Sequence, residues 1–181
     1  MGMSKDHERN EYEEITNSQA FYMFTNNVLK PHHKNLLFRW QQFRDEDLWR
    51  EPAQKVITNN EIGLKALFKK YTMRDQGFLT LNDCMTMICS DSVLSANPKM
   101  VRTAFAMSKQ TVANEQDENM AKRYNELPFV EFCEFIGRLI ESLFKESELE
   151  ELPLDEKLEY ILEDLMPLAG NTFVPNRTMV Q

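Results

Sequence analysis

Gln76-Gly77-Phe78-Leu79-Thr80-Leu81-Asn82-Asp83 is the stretch whose reading decides the fold. Upstream, Leu64, Phe68 and Tyr71 recur at helical spacing, and downstream Cys84, Met87 and Ile88 do so again. A single glycine between two such runs predicts a tight turn joining two helices. Thr80 and Asp83 have the spacing of a capping box, in which each side chain accepts a hydrogen bond from the other residue's backbone amide, so the second helix starts there. The pattern then returns. Phe132, Phe135, Ile136 and Leu139 follow Glu131 at the same offsets as Cys84, Met87, Ile88 and Asp91 follow Asp83. Leu127 precedes Glu131 by four residues, as Leu79 precedes Asp83. The helix entering this second unit reads from Val101, Ala104, Phe105 and Ser108, behind an Asn97-Pro98 start.

On these residues the region from Leu64 to Phe144 resembles the EF-hand proteins of the calmodulin superfamily. The resemblance implies twelve-position loops between helices, paired through a short two-strand bridge at position eight, where Leu79 and Leu127 would face each other. Setting Gly77 at position six makes Thr72 the first residue and Asp83 the twelfth. A calcium loop needs hard oxygen ligands at one, three and five and a bidentate glutamate at twelve. This chain offers Thr72, Arg74, Gln76 and Asp83. Thr72 is neutral, Arg74 puts a positive charge in a ligand place, and Asp83 is one methylene short. Starting the frame at Asp75 puts Thr80 in the glycine place, which is worse. The loop is read as metal-free, and no metal or cofactor is expected. The second loop runs twenty-three residues from Lys109 to Glu131. Its insertion, 111–124, is polar and lacks glycine; Asp117 and Asn119 mimic positions one and three, but Lys122 then occupies the glycine place.

The segment Leu127-Pro128-Phe129-Val130-Glu131-Phe132, with Leu154 to Leu162 and Met166-Pro167, is also similar to degenerate EF-hand-like proteins of ciliary and flagellar axonemes. That similarity implies a structural component in a microtubule-associated cytoskeletal assembly. The leading functional expectation is therefore a calcium-independent adaptor or scaffold that holds a protein partner, a helix or an axonemal component. A loop without ligands cannot use the calcium switch that opens a Met-rich groove. The expected partner groove is lined by Met85, Met87, Ile88, Phe105 and Met107 from one side and Phe132, Phe135, Ile136 and Leu139 from the other. The alternative is an atypical calcium-binding sensor. An enzyme is not expected: there is no Gly-rich phosphate loop, no metal-spaced His/Cys cluster and no nucleophile elbow, and the chain holds only five glycines.

Around this centre the expected fold is all-α, with N-terminal helices and a C-terminal helix beside the paired hands. Residues 1–16 form a charged tail. In 17–57, a helix capped at Asn17 or Ser18 buries Phe21, Phe24 and Val28; a second carries Leu36, Leu37, Trp40 and Phe43 and stops at Pro52, and this segment packs on the core. Arg39, Arg44 and Arg50, balanced by neighbouring acids, read as a solvated face. The hand pair occupies 58–146, opening with a capping box at Thr58 to Glu61 and with the expanded loop at 109–131. An acidic hinge, a helix from Asp155 to Leu165 and a tail fill 147–181, the helix packing in the groove or on the N-terminal helices. At 181 residues with 42% hydrophobic and 28% charged content, the chain can bury a real core. A net charge of −8 works against nucleic acid and anionic lipid as partners. No apolar run long enough to span a bilayer and no signal-peptide core occur, so a cytoplasmic protein is expected, and the axonemal similarity implies the cilium or flagellum as its setting. Cys84, Cys89 and Cys133 read as buried reduced thiols, and His32 and His33, adjacent on a helix, make a poor metal pair.

Overall fold

The computed structural model describes residues 16–29, 41–73 and 76–175. These residues are mostly helical. The chain divides into two compact units, Met1–Gln41 and Gln42–Gln181. The expected helix through Leu36, Leu37 and Trp40, the histidine pair and Arg39 lie outside the described residues.

In the first unit, α1 spans Asn17–Phe24 and continues as a π-helical turn over Thr25–Leu29. Thr16 caps it, one residue earlier than expected: its hydroxyl accepts from the Gln19 amide at 3.3 Å, and Gln19 accepts from the Thr16 amide at 2.9 Å. Phe21, Phe24 and Val28 are exposed rather than buried. Among the described residues of this unit there is no second helix against which its apolar stripe can be hidden.

The second unit begins with a π-helical turn, Phe43–Leu48, whose Phe43 and Leu48 close over Gly137; a Cβ there would lie 3.1 Å from Phe43 and 3.3 Å from Leu48. Arg44 is buried, not solvated as expected, and its Nε donates to both oxygens of the buried Glu134 at 2.9 and 3.0 Å. Arg138 donates to the same carboxylate at 2.8 Å, so one acid gathers two guanidinium groups at the centre of the packing. Pro52 does not end a helix. It sits in the first turn of α2, Glu51–Asn59, where its missing N–H costs nothing, and α2 buries Ala53 and Val56.

Helix α3, Glu61–Tyr71, follows after one residue. The capping box expected from Thr58 to Glu61 does not form, because α2 runs through Thr58. Instead the buried Asn60 side chain turns away from α3, donating to the carbonyls of Val56 and Val174 at 2.9 Å each and accepting from the Val174 amide at 2.8 Å. The box at Thr80 does form. The Thr80 amide donates to Asp83 at 2.7 Å and the Asp83 amide to Thr80 at 3.3 Å, opening α4, Leu81–Met85, which continues as a π-helical stretch over Thr86–Asp91. Asn97 caps α5, Pro98–Ser108, through the amides of Lys99 and Met100, both at 3.0 Å. Asp117 caps the short α6, Glu118–Lys122. Helix α7 is Phe129–Phe144 and α8 is Leu154–Leu165, extended by a 3-10 turn, Met166–Ala169, that ends at Gly170 with φ +68°.

One contiguous core joins α2, α3, α4, α5, α7 and α8. Phe68 of α3 meets the edge of Phe129 of α7 at 5.6 Å between ring centres and tilts against Phe132 at 5.5 Å. Leu158, Ile161, Leu162 and Leu165 of α8 are buried in that same core. Met166 presses on α3 so closely that a Cβ on Gly63 would fall 2.4 Å from its sulfur. Among the described residues, no helix is long and apolar enough to cross a membrane.

Candidate functional site

Two loops stand side by side: one between α3 and α4, the other between α5 and α7. They meet at Leu79 and Leu127, whose backbones exchange hydrogen bonds of 2.9 Å and 2.8 Å in an isolated antiparallel bridge, with both side chains fully buried.

The first loop closes by short-range contacts. Thr72 donates its hydroxyl to the Phe68 carbonyl at 2.8 Å, the Gln76 amide donates to the Met73 carbonyl at 3.2 Å, and Gly77 turns the chain at φ +76°, a conformation that favours glycine. Asp83, in the first turn of α4, is engaged by the Thr80 amide and hydroxyl. Gln76 is exposed, and Arg74 lies outside the described residues.

The second loop is closed by charge. Lys109, the residue after α5, donates from its ammonium to the Glu126 carbonyl and to Glu131 Oε2, and the Gln110 amide donates to Glu131 Oε1 at 3.2 Å. Both partners of this ion pair are largely buried. The excursion between them is pinned by Tyr124, which donates to Glu115 at 2.6 Å and accepts from the Val112 amide at 3.4 Å. The hydrogen bond to Glu115 raises the Tyr124 pKa above its ordinary value. A cleft of about 370 Å³ separates the loops, lined by Gly77 and Phe78 on one side and by Gln110, Val112, Arg123 and Glu131 on the other. Among the described residues no three His, Cys, Asp or Glu side chains form a group that could hold a metal ion.

The residues expected to line a partner groove do not line one. Met87, Ile88, Phe105, Phe132, Phe135, Ile136 and Leu139 are buried, Met85 is half-buried, and Met107 alone is exposed, at 36%. The chain covers this set itself: α5 packs along α7, α8 packs on α2 and α7, and the turn after α8 packs on α3. The cysteines are free. Cys84 and Cys133 have thiols raised by burial, Cys133 to about 12, while Cys89 is exposed, not buried as expected. Sequence reading passed over the Lys109 contact, although a lysine at the loop's first position and a glutamate at its last were both in view. Asn60 was read as part of a local cap, and nothing local marks its pairing with Val174.

Compared with protein-family models, curated proteins and solved structures, the chain matches none.

Proposed function

We propose that this chain is a degenerate EF-hand pair acting as a calcium-independent structural adaptor, which holds a protein partner within a larger cytoskeletal assembly. The observation that carries the reading is the filled core. Sensor hands work by swinging their helices apart to bare an apolar groove when calcium loads. Here Met87, Phe132 and Leu139 are fully buried and share one core with α8, so baring a groove would mean disrupting a core that includes α8. The bridge between Leu79 and Leu127 supports the EF-hand pairing. Commitment of Asp83 to Thr80 and of Glu131 to Lys109 supports independence from calcium.

The partner on this reading docks on the outer surface, and the net charge of −8 suits a basic protein segment. Assignment to an axonemal, microtubule-associated setting rests on the sequence similarity of residues 127–132, 154–162 and 166–167. The reading assigns no catalytic role, and burial raises the thiols of Cys84 and Cys133 above their ordinary range. Calcium titration by calorimetry at near-physiological ionic strength tests the core of the reading. No binding heat is expected, and micromolar binding would overturn it in favour of a sensor. Crosslinking in cell extract with peptide identification tests the rest, with cytoskeletal or ciliary proteins expected and their absence among the crosslinked peptides counting against the assembly.

A further inference from the structure

The second loop contains a cation already, and it is part of the chain. Helix α5 ends at Ser108, and the side chain of the next residue, Lys109, is only 7% exposed beside a Glu131 side chain that is 12% exposed. The ammonium has three N–H donors and no acceptor. It donates to the Glu126 carbonyl and to Glu131 Oε2, and it lies 5.5 Å from the centre of the Phe105 ring. With Leu127 at position eight and Glu131 at twelve, Glu126 is position seven. A calcium loop offers its ion the backbone carbonyl of position seven and the carboxylate of position twelve. Those same two groups here converge on a positive charge delivered from the loop's first residue, where a calcium loop places an anion.

We propose that the Lys109 ammonium is the resident cation of the second loop, a tethered ion that holds Glu126 and Glu131 in place of a soluble metal. Position names in this inference rest on the EF-hand reading; the ion pair itself does not. Because the loop keeps its cation by covalent attachment, the backbone at Leu127 is fixed whether or not calcium is present. Removing the ammonium while leaving Glu131 creates an anionic hole: the Gln110 amide still donates to Oε1, but a largely buried carboxylate without its counter-charge is destabilising. That hole has a ligand class: small cations, either a primary alkylammonium of the size removed or a divalent metal.

The test uses the full chain and reads thermal unfolding. Lys109→Ala is expected to lower Tm by about 10 °C. Adding n-propylammonium, which replaces the atoms removed, or calcium chloride should restore part of that loss saturably, whereas sodium chloride at matched ionic strength should not, and the parent chain should respond to none of them. Lys99→Met, at an exposed site, serves as control against Lys109→Met. A Lys109→Met loss no larger than the control, or a Lys109→Ala variant that neither cation rescues, would overturn the proposal. If Lys109→Ala does not fold, Lys109→Met combined with Glu131→Gln decides. The double variant should melt above Lys109→Met alone, since the carboxylate stripped of its counter-charge is gone, and losses that merely add would sink the idea. Calcium binding by the unaltered chain would instead strike the calcium-independent reading, so the two failures are told apart.

Discussion

Each of the two loops is followed by an acid in the first turn of the next helix, and the two acids are used in opposite ways. Asp83 reaches three residues back to Thr80 and finishes a helix cap; Glu131 reaches twenty-two residues back to Lys109 and closes an excursion. The first is a short turn around Gly77, satisfied by hydrogen bonds among neighbours. The second has a long insertion whose ends must be held together against chain entropy, and a largely buried ion pair holds them. Local closure tolerates loss of any one contact. Closure by a buried charge does not, because removing one partner strands the other.

The support common to both loops sets the largest effect. Truncation after Phe144 removes Leu158, Ile161, Leu162, Leu165 and Met166 from the core, and at about 1.5–3 kcal/mol for each buried side chain the loss is on the order of 10 kcal/mol. That equals the whole stability of a typical domain. Loss of a cooperative urea transition and strong apolar-dye fluorescence are expected. A truncated chain that keeps a sharp transition would mean that α8 is dispensable and that the core is not filled from within.

The next experiment addresses the contrast directly. Glu131→Ala leaves the Lys109 ammonium buried without its carboxylate and is expected to cost about 3–5 kcal/mol in urea denaturation. Asp83→Ala removes half of a capping box and is expected to cost about 1 kcal/mol. Equal costs would erase the distinction between the loops. In the other direction, Gly77→Ala penalises only the first loop. Nothing lies within 4 Å of the added methyl, so the cost of about 1 kcal/mol is conformational, arising from φ +76° alone. Among the described residues of the second loop, no residue has positive φ, so no position there shows the same penalty.

These contrasts also mark what could be read before any coordinates. Helical repetition of apolar residues placed α3, α4, α5 and α7, because burial at that period is what makes those segments helical. Thr80 with Asp83, and Asn97 with Pro98, were legible because a cap is a contact over three residues. Pro52 was read as a stop when it opens α2; the signal for a start was there in Glu51-Pro52 followed by Ala53, Val56 and Ile57. Whether Met87 or Phe132 lines an open groove or a closed core depends on where α8 packs, and an amphipathic helix does not name its partner. Lys109 with Glu131, Asn60 with Val174 and Arg44 with Glu134 are contacts across long sequence distances, and charge or amide residues carry no periodicity that would announce them.

The smallest effect separates the loops by pH. Each loop has a tyrosine hydrogen-bonded to an acid in it or beside it: Tyr71 donates to Asp91 at 2.8 Å and Tyr124 to Glu115 at 2.6 Å. Burial first, and then the bond to Asp91, pushes the Tyr71 pKa up to about 12 from its ordinary 10.0. Between those values the folded state keeps a proton that the unfolded state gives up. The Tyr71 contribution to stability is therefore complete below pH 10 and is lost as pH rises through the folded value near 12. Urea midpoints measured across this window should fall with rising pH, and Tyr71→Phe should flatten the slope. Tyr124 is raised by its hydrogen bond to Glu115, with burial contributing little, so Tyr124→Phe should flatten it less. A larger change from Tyr124→Phe would place the better-buried phenol in the second loop and reverse the comparison.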